Sequence, residues 1–169
     1  MQHVNLLSAV DVSSVTTLRE VFDLFAGVDA SDIKYIVQLL QAIAMLFERV
    51  TSAVDYRLLV PAFSPSLAVL LRVYSAQSDS TVPLFSAVEE LLTQFFDAAK
   101  RTHRSMYDSK LLASLSGVLA ATLMHCKKSV KHKSVMFWGE TFGAQTKALD
   151  YPPMLHGVLA QLKHVVSQH

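Results

Sequence analysis

At 169 residues, half of them apolar and only 17% charged, the chain is long enough to bury one core and too apolar to be disordered. A mean hydropathy of +0.34 leaves two explanations: a membrane segment, or surfaces that further chain or a partner covers. A single cysteine excludes an internal disulfide framework and fits a reducing compartment, cytosolic or nuclear.

The membrane explanation fails on length. The most apolar run, 111–124, contains Ser114, Ser116, Gly117 and Thr122 and falls short of the roughly 20 apolar residues a bilayer requires. The amino end has no basic region and no sustained apolar stretch, so it does not read as a signal peptide. The net charge of +1 hides an asymmetry. Residues 1–96 carry 5 Lys/Arg against 10 Asp/Glu, and residues 97–169 carry 10 against 4. The second part is therefore suited to an anionic partner, unless its charges are simply solvated.

Strand signals are nearly absent, and helical periodicity runs almost throughout. A first helix is expected over 13–26, with Val15, Leu18, Val21, Phe22 and Phe25 on one face and Gly27 as its stop. A second is expected over 31–54. Besides its main face it carries a flanking row, Tyr35, Leu39, Ala42 and Leu46, and so wide an apolar surface implies neighbours on both sides.

Residues 55–65, with two prolines, read as a loop leading to a third helix over 66–76. Pro83 opens a fourth to about residue 101, facing inward with Leu84, Val88, Leu91, Leu92 and Phe95. The fifth covers 109–125, with Leu111, Leu112, Leu115, Val118, Leu119 and Thr122 inward. The sixth covers about 130–145, and the seventh 153–166, with Leu155, Val158, Leu159, Leu162 and Val166 inward.

Alternate helices thus begin near 13, 64, 108 and 152, close to the period of two-helix HEAT and armadillo units. The expected fold is all-α, a HEAT/armadillo-like α-α superhelix of about three helical pairs plus a terminal helix. A closed helical bundle is the rival. The whole of 1–169 reads as one helical-repeat domain cut from a longer solenoid, with 1–12 as the candidate disordered start.

The chemistry concentrates in 127–153. Lys127, Lys128, Lys131, His132 and Lys133 cluster at the turn before the sixth helix and in its first turns. Lysines beside the free N–H groups of a helix start suit phosphate, and a basic helix start runs against the macrodipole. The plainer reading is a solvated turn. Arg101 and Arg104 are candidate helpers.

Ser134, Phe137, Trp138, Thr141 and Phe142 share a face and read as core, with Gly139 and Gly143 allowing a neighbouring helix to come close. Lys133, Ser134, Val135, Met136 and Phe137 also fit a loose phosphatase-docking pattern. That mode needs an extended strand, whereas the residues carry helical periodicity, so the match reads as accidental. Cys126 reads as a small buried residue. No histidine or cysteine set has metal-ligand spacing, and no nucleophile elbow or glycine-rich phosphate loop is present. No metal, cofactor, catalytic residue or small-molecule substrate is expected.

The order of features in 109–163 is an apolar helix, the basic turn, Phe137-Trp138-Gly139-Glu140-Thr141-Phe142, then Tyr151-Pro152, then Leu155, Val158 and Leu159. It resembles the last repeats of the amino-terminal HEAT-like domain of the Rif-type (Rap-interacting factor) telomere-associated proteins. The match covers about a third of the chain. Gly139 and Gly143 depart from the pattern, and the family's phosphatase-docking motifs and disordered tail have no counterpart. The resemblance implies a nuclear, non-enzymatic scaffold on chromosomes and telomeres, with roles in telomere maintenance, double-strand-break repair choice and replication timing. Its implied partners are DNA or phosphorylated protein, together with the other repeats of a longer chain. A protein–protein module without a nucleic-acid role is the alternative, and a helical-bundle enzyme or carrier a third.

Overall fold

The computed structural model describes residues 30–76, 82–104 and 107–166, and every regular element among them is helical. They are α1 (Ala30–Arg49), α2 (Ala53–Ala76), α3 (Val82–His103), α4 (Ser109–Leu123), α5 (Lys128–Glu140), a 3-10 turn (Phe142–Ala144) and α6 (Pro153–Val166). The expected helix over 13–26 and the start at 1–12 lie outside the described residues.

The helices alternate between two layers. Along one layer α1 packs on α3 and α3 on α5; along the other α2 packs on α4 and α4 on α6. Consecutive helices α2 and α3, and α4 and α5, join the layers as hairpins. This is the α-α superhelix that periodicity predicts, because each helix carries an apolar stripe broad enough to serve more than one neighbour. Within a layer neighbours run parallel and in step. Arg57 pairs with Asp108 near the starts of α2 and α4, and Ser75 with Cys126 near their ends, both 51 residues apart. Between α3 and α5 the step is 40: Glu89 meets Ser129, Thr93 meets Lys133, and Lys100 meets Glu140. Of the helix starts expected near 64, 108 and 152, the last two hold, at Ser109 and Pro153, whereas α2 starts earlier, at Ala53.

The core runs between the layers. Phe47 of α1 stands edge-on to Tyr56 and Phe63 of α2 and to Phe95 of α3, with centroids 5.0–6.2 Å apart. Such pairs contribute about 0.5–1.5 kcal/mol beyond the area they bury. The buried Tyr56 hydroxyl donates to the Phe95 carbonyl at 3.1 Å, so no polar group is stranded there. All the inward residues expected for α3 and α4 are buried, as is Leu155 of α6, with Val158 and Leu159 half-buried. The side chains of Leu162 and Val166 lie outside the described set.

The expected boundaries of α1 and α2 are wrong. The second helix ends at Arg49, not near 54. Arg101 reaches across from α3 and donates to the carbonyls of Phe47 at 2.8 Å, Glu48 at 2.9 Å and Val50 at 3.1 Å, capping α1 with a guanidinium. The expected loop over 55–65 is helical and continuous with 66–76, forming α2 with Pro61 and Pro65 inside it. Ser52 starts this helix by accepting the N–H of Val54 at 3.2 Å on its side chain. Both prolines are exposed, so the carbonyls they leave without partners face water, while Leu59, Val60, Phe63, Leu67 and Leu71 pack on the other side. The apolar length of α2, Ala53–Arg72, would suffice to cross a bilayer, but half of it is buried against its neighbours, as in a core helix.

Among the described residues the flanking row of α1 is only partly covered. Tyr35 is 71% exposed, Ala42 is exposed, and Leu39 and Leu46 are half-buried.

Candidate functional site

α5 is built on its apolar side first. Val130, Ser134 and Phe137 are buried, Trp138 is half-buried, and Phe137 stacks on Phe96 of α3 at 4.2 Å and 10°. The Ser134 and Thr122 hydroxyls share a hydrogen bond in the interior, while Thr122 also donates to the Val118 carbonyl at 2.8 Å. The aromatic face is thus core, as its spacing indicates. α5 is nevertheless shorter than expected. It ends at Glu140, and Phe142 is buried from the 3-10 turn that follows. Gly143 lies so close to Trp138 that a Cβ there would come within 3.0 Å of its carbonyl oxygen and 3.1 Å of its ring. The close approach is therefore to the preceding turn, not to a neighbouring helix, and Gly139 has open space around it.

That packing fixes where the five basic residues point, and they do not act as one patch. Lys127 is the residue preceding α5, its ammonium 3.9 Å from the centroid of Phe85 and 5.3 Å from that of Tyr74. Lys128 and His132 are exposed and Lys131 is half-exposed, three and four residues apart on one outward face. Lys133 turns the other way. It donates to Thr93 Oγ1 at 2.6 Å and lies 3.8 Å from the Glu89 carboxylate.

His132 and Lys133 also line a groove of about 200 Å³ between α3 and α5, with Thr93, Lys100, Phe96 and Phe137. On its far side Lys100 pairs with Asp97 at 3.0 Å and Glu140 at 3.3 Å. Burial works against the Lys100 charge, but the two carboxylates outweigh it and hold its pKa above the ordinary lysine value.

The amino end of α5 thus already faces an anion. Glu89 of α3 accepts the Ser129 hydroxyl at 2.6 Å and sits beside Lys133. Glu89 and Thr93 were not legible as site residues, because nothing local relates them to residues 40 positions away. The helper residues fare differently. Arg101 is occupied as the cap of α1, whereas Arg104 is exposed, at φ 41, just past the end of α3.

Cys126 corrects an expectation. It is exposed, its thiol donating to the Ser75 carbonyl at 3.2 Å, because α4 stops at Leu123 and releases the residues after it. His125 beside it is the buried one. Lys133 to Phe137 are helical with Phe137 buried, so the extended docking pattern is not displayed. Among the described residues no group of three or more His, Cys, Asp or Glu is placed to hold a metal ion.

The two layers of alternating helices define an α-helical repeat domain. The chain is similar to telomere-associated protein RIF1 of three animals. With the human protein it shares 35% identity over 80 residues, 47% of this chain. With the chicken protein it shares 34% over 106 residues, 60% of this chain, and with the mouse protein 24% over 166 residues, 95% of this chain. The aligned regions amount to only 3–6% of these relatives. No family model and no solved structure matches the chain.

Proposed function

We propose that the chain is a stretch of a Rif1-like, telomere- and chromosome-associated scaffold, nuclear and non-enzymatic, whose basic helix start contacts DNA phosphates. The similarity to RIF1 along almost the whole chain supports the scaffold assignment. The outward face of Lys128, Lys131 and His132 supports the phosphate contact, with Lys127 at its edge. Lys133 contributes little, since Glu89 and Thr93 engage it. Such a surface neutralises phosphates without reading bases, so affinity falls steeply with salt. Roles in telomere maintenance, repair choice and replication timing belong to the same proposal.

The test is fluorescence anisotropy of duplex DNA across a salt series, with Lys128→Glu/Lys131→Glu alongside. Binding that weakens with salt and is lost in the double variant is the expected result. Equal binding by the variant sinks the phosphate contact.

A second reading, a protein–protein module with no nucleic-acid role, is favoured by exposed Tyr35 on α1 and by exposed Val54, Leu58 and Val69 on α2. It predicts salt-insensitive association and no DNA binding.

A further inference from the structure

We propose that Ser129 is a phosphorylation site, and that its phosphate replaces Glu89 as the anion held by Lys133. Ser129 is exposed in the first turn of α5, two residues beyond the inter-helix turn, so an enzyme can reach its hydroxyl. Lys127 and Lys128 precede it, and Lys131 and Lys133 follow. Lysines on both sides of the serine complement a kinase whose substrate cleft is acidic.

The surroundings accommodate the product. The site already holds one anion, the Glu89 carboxylate, against the Ser129 hydroxyl and the Lys133 ammonium. α5 has no acidic residue in its first turn and no side-chain cap, in contrast to α4, where Asp108 accepts the N–H of Leu111 at 2.8 Å.

In the transfer, Ser129 Oγ attacks the γ-phosphorus of ATP. The new Oγ–P bond forms as the β,γ-bridging P–O bond breaks, ADP leaves, and the hydroxyl proton passes to the kinase's base. The phosphate brings a charge of about −1.5 to −2 to a position four residues before Lys133, the favourable order for an anion and a cation on one helix. Glu89 cannot remain beside it. The serine no longer has a proton to donate, and two anions at that distance repel. Phosphorylation thus removes a strap between α3 and α5 and adds about two negative charges beside the basic face. Weaker DNA binding, which rests on the phosphate-contacting reading above, is the further consequence.

The test has two parts that do not need DNA. The full chain is incubated with ATP and a panel of basophilic serine kinases, and modified peptides are mapped by mass spectrometry. One phosphate on Ser129, absent from Ser129→Ala, is expected; no incorporation, or incorporation only elsewhere, overturns the proposal. The phosphoprotein is then titrated by phosphorus NMR. The second phosphate ionisation should fall below the value of about 6 of free phosphoserine and return towards it in Lys133→Ala. An unshifted ionisation overturns the exchange with Glu89. If DNA fails to bind the unmodified chain while the ionisation is shifted, the proposed function falls and the phosphorylation site stands.

Discussion

His103 shows how one side chain is held in a single protonation state. Its Nε2 accepts the Nε–H of Arg57 at 3.1 Å, and its Nδ1 lies 2.8 Å from Thr102 Oγ1, whose own proton goes to the Ala98 carbonyl. The ring is therefore neutral, with its hydrogen on Nδ1. Burial pushes its pKa below the ordinary value, and the Arg57 guanidinium adds to the push. The Ala99 backbone and Asp108 oppose it. His125 is lowered as well, first by burial and also by Lys127, against the Leu71 backbone and Glu89; its Nδ1 accepts the Lys127 N–H at 3.1 Å. A lowered folded pKa means that the unfolded chain binds the proton more readily. Stability is thus complete above about pH 6.5 and declines as pH falls from there towards the folded values. Urea midpoints from about pH 7.5 down to about pH 5 should show this decline, less steeply in His103→Gln; a flat profile would contradict it. At Arg104 the strain is in the backbone. Its φ of 41 is a conformation glycine adopts freely, so Arg104→Gly should raise stability by up to about 1 kcal/mol in the same unfolding assay.

At the scale of elements, α2 and α5 make opposite cases. In α2 the prolines face water and interrupt only the outer hydrogen bonds. Pro65→Ala should therefore stabilise the protein by about 1–2 kcal/mol, less than the full helix-interior difference, because alanine also frees the unfolded chain. In α5 the stacked Phe137 ties the helix to α3, and Phe137→Ala should cost about 3–5 kcal/mol, read as a lowered thermal midpoint. The start of α3 at Pro83 and the core faces of α3, α4 and α5 were legible because each has one dominant periodicity. The continuity of α2 was not, since Pro61 and Pro65 are local stop signals and what overrides them is burial on the opposite face. The early end of α1 was equally hidden, for its cap is Arg101, about 50 residues away in sequence. The basic residues were found from composition alone. Their division between an outward face, an aromatic seat and an inward pairing depends on how α5 is rotated against α3, which composition does not encode.

Across the whole molecule, the row Tyr35, Leu39, Ala42 and Leu46 lies on α1, at the end of its layer among the described helices, while the basic face lies on α5 at the other end. Among the described residues Tyr35 and Ala42 of that row are exposed, and apolar surface of this kind suits another helix. Tyr35→Lys with Leu39→Lys should reduce self-association in analytical ultracentrifugation while leaving helix content by circular dichroism unchanged. Association that persists unaltered would place the sticky surface elsewhere, the exposed Val54, Leu58 and Val69 of α2 being the next to test.

The alternation of layers also has a mechanical meaning. In the principal packing each helix is held by those one or two places ahead or behind it in the chain. Tension applied to the two ends therefore passes through the contacts in series. Among the described helices α6 stands at one end of that series, with Leu155 buried and Val158 and Leu159 half-buried. Loaded at its two ends, a stack of this kind is expected to yield in steps rather than all at once.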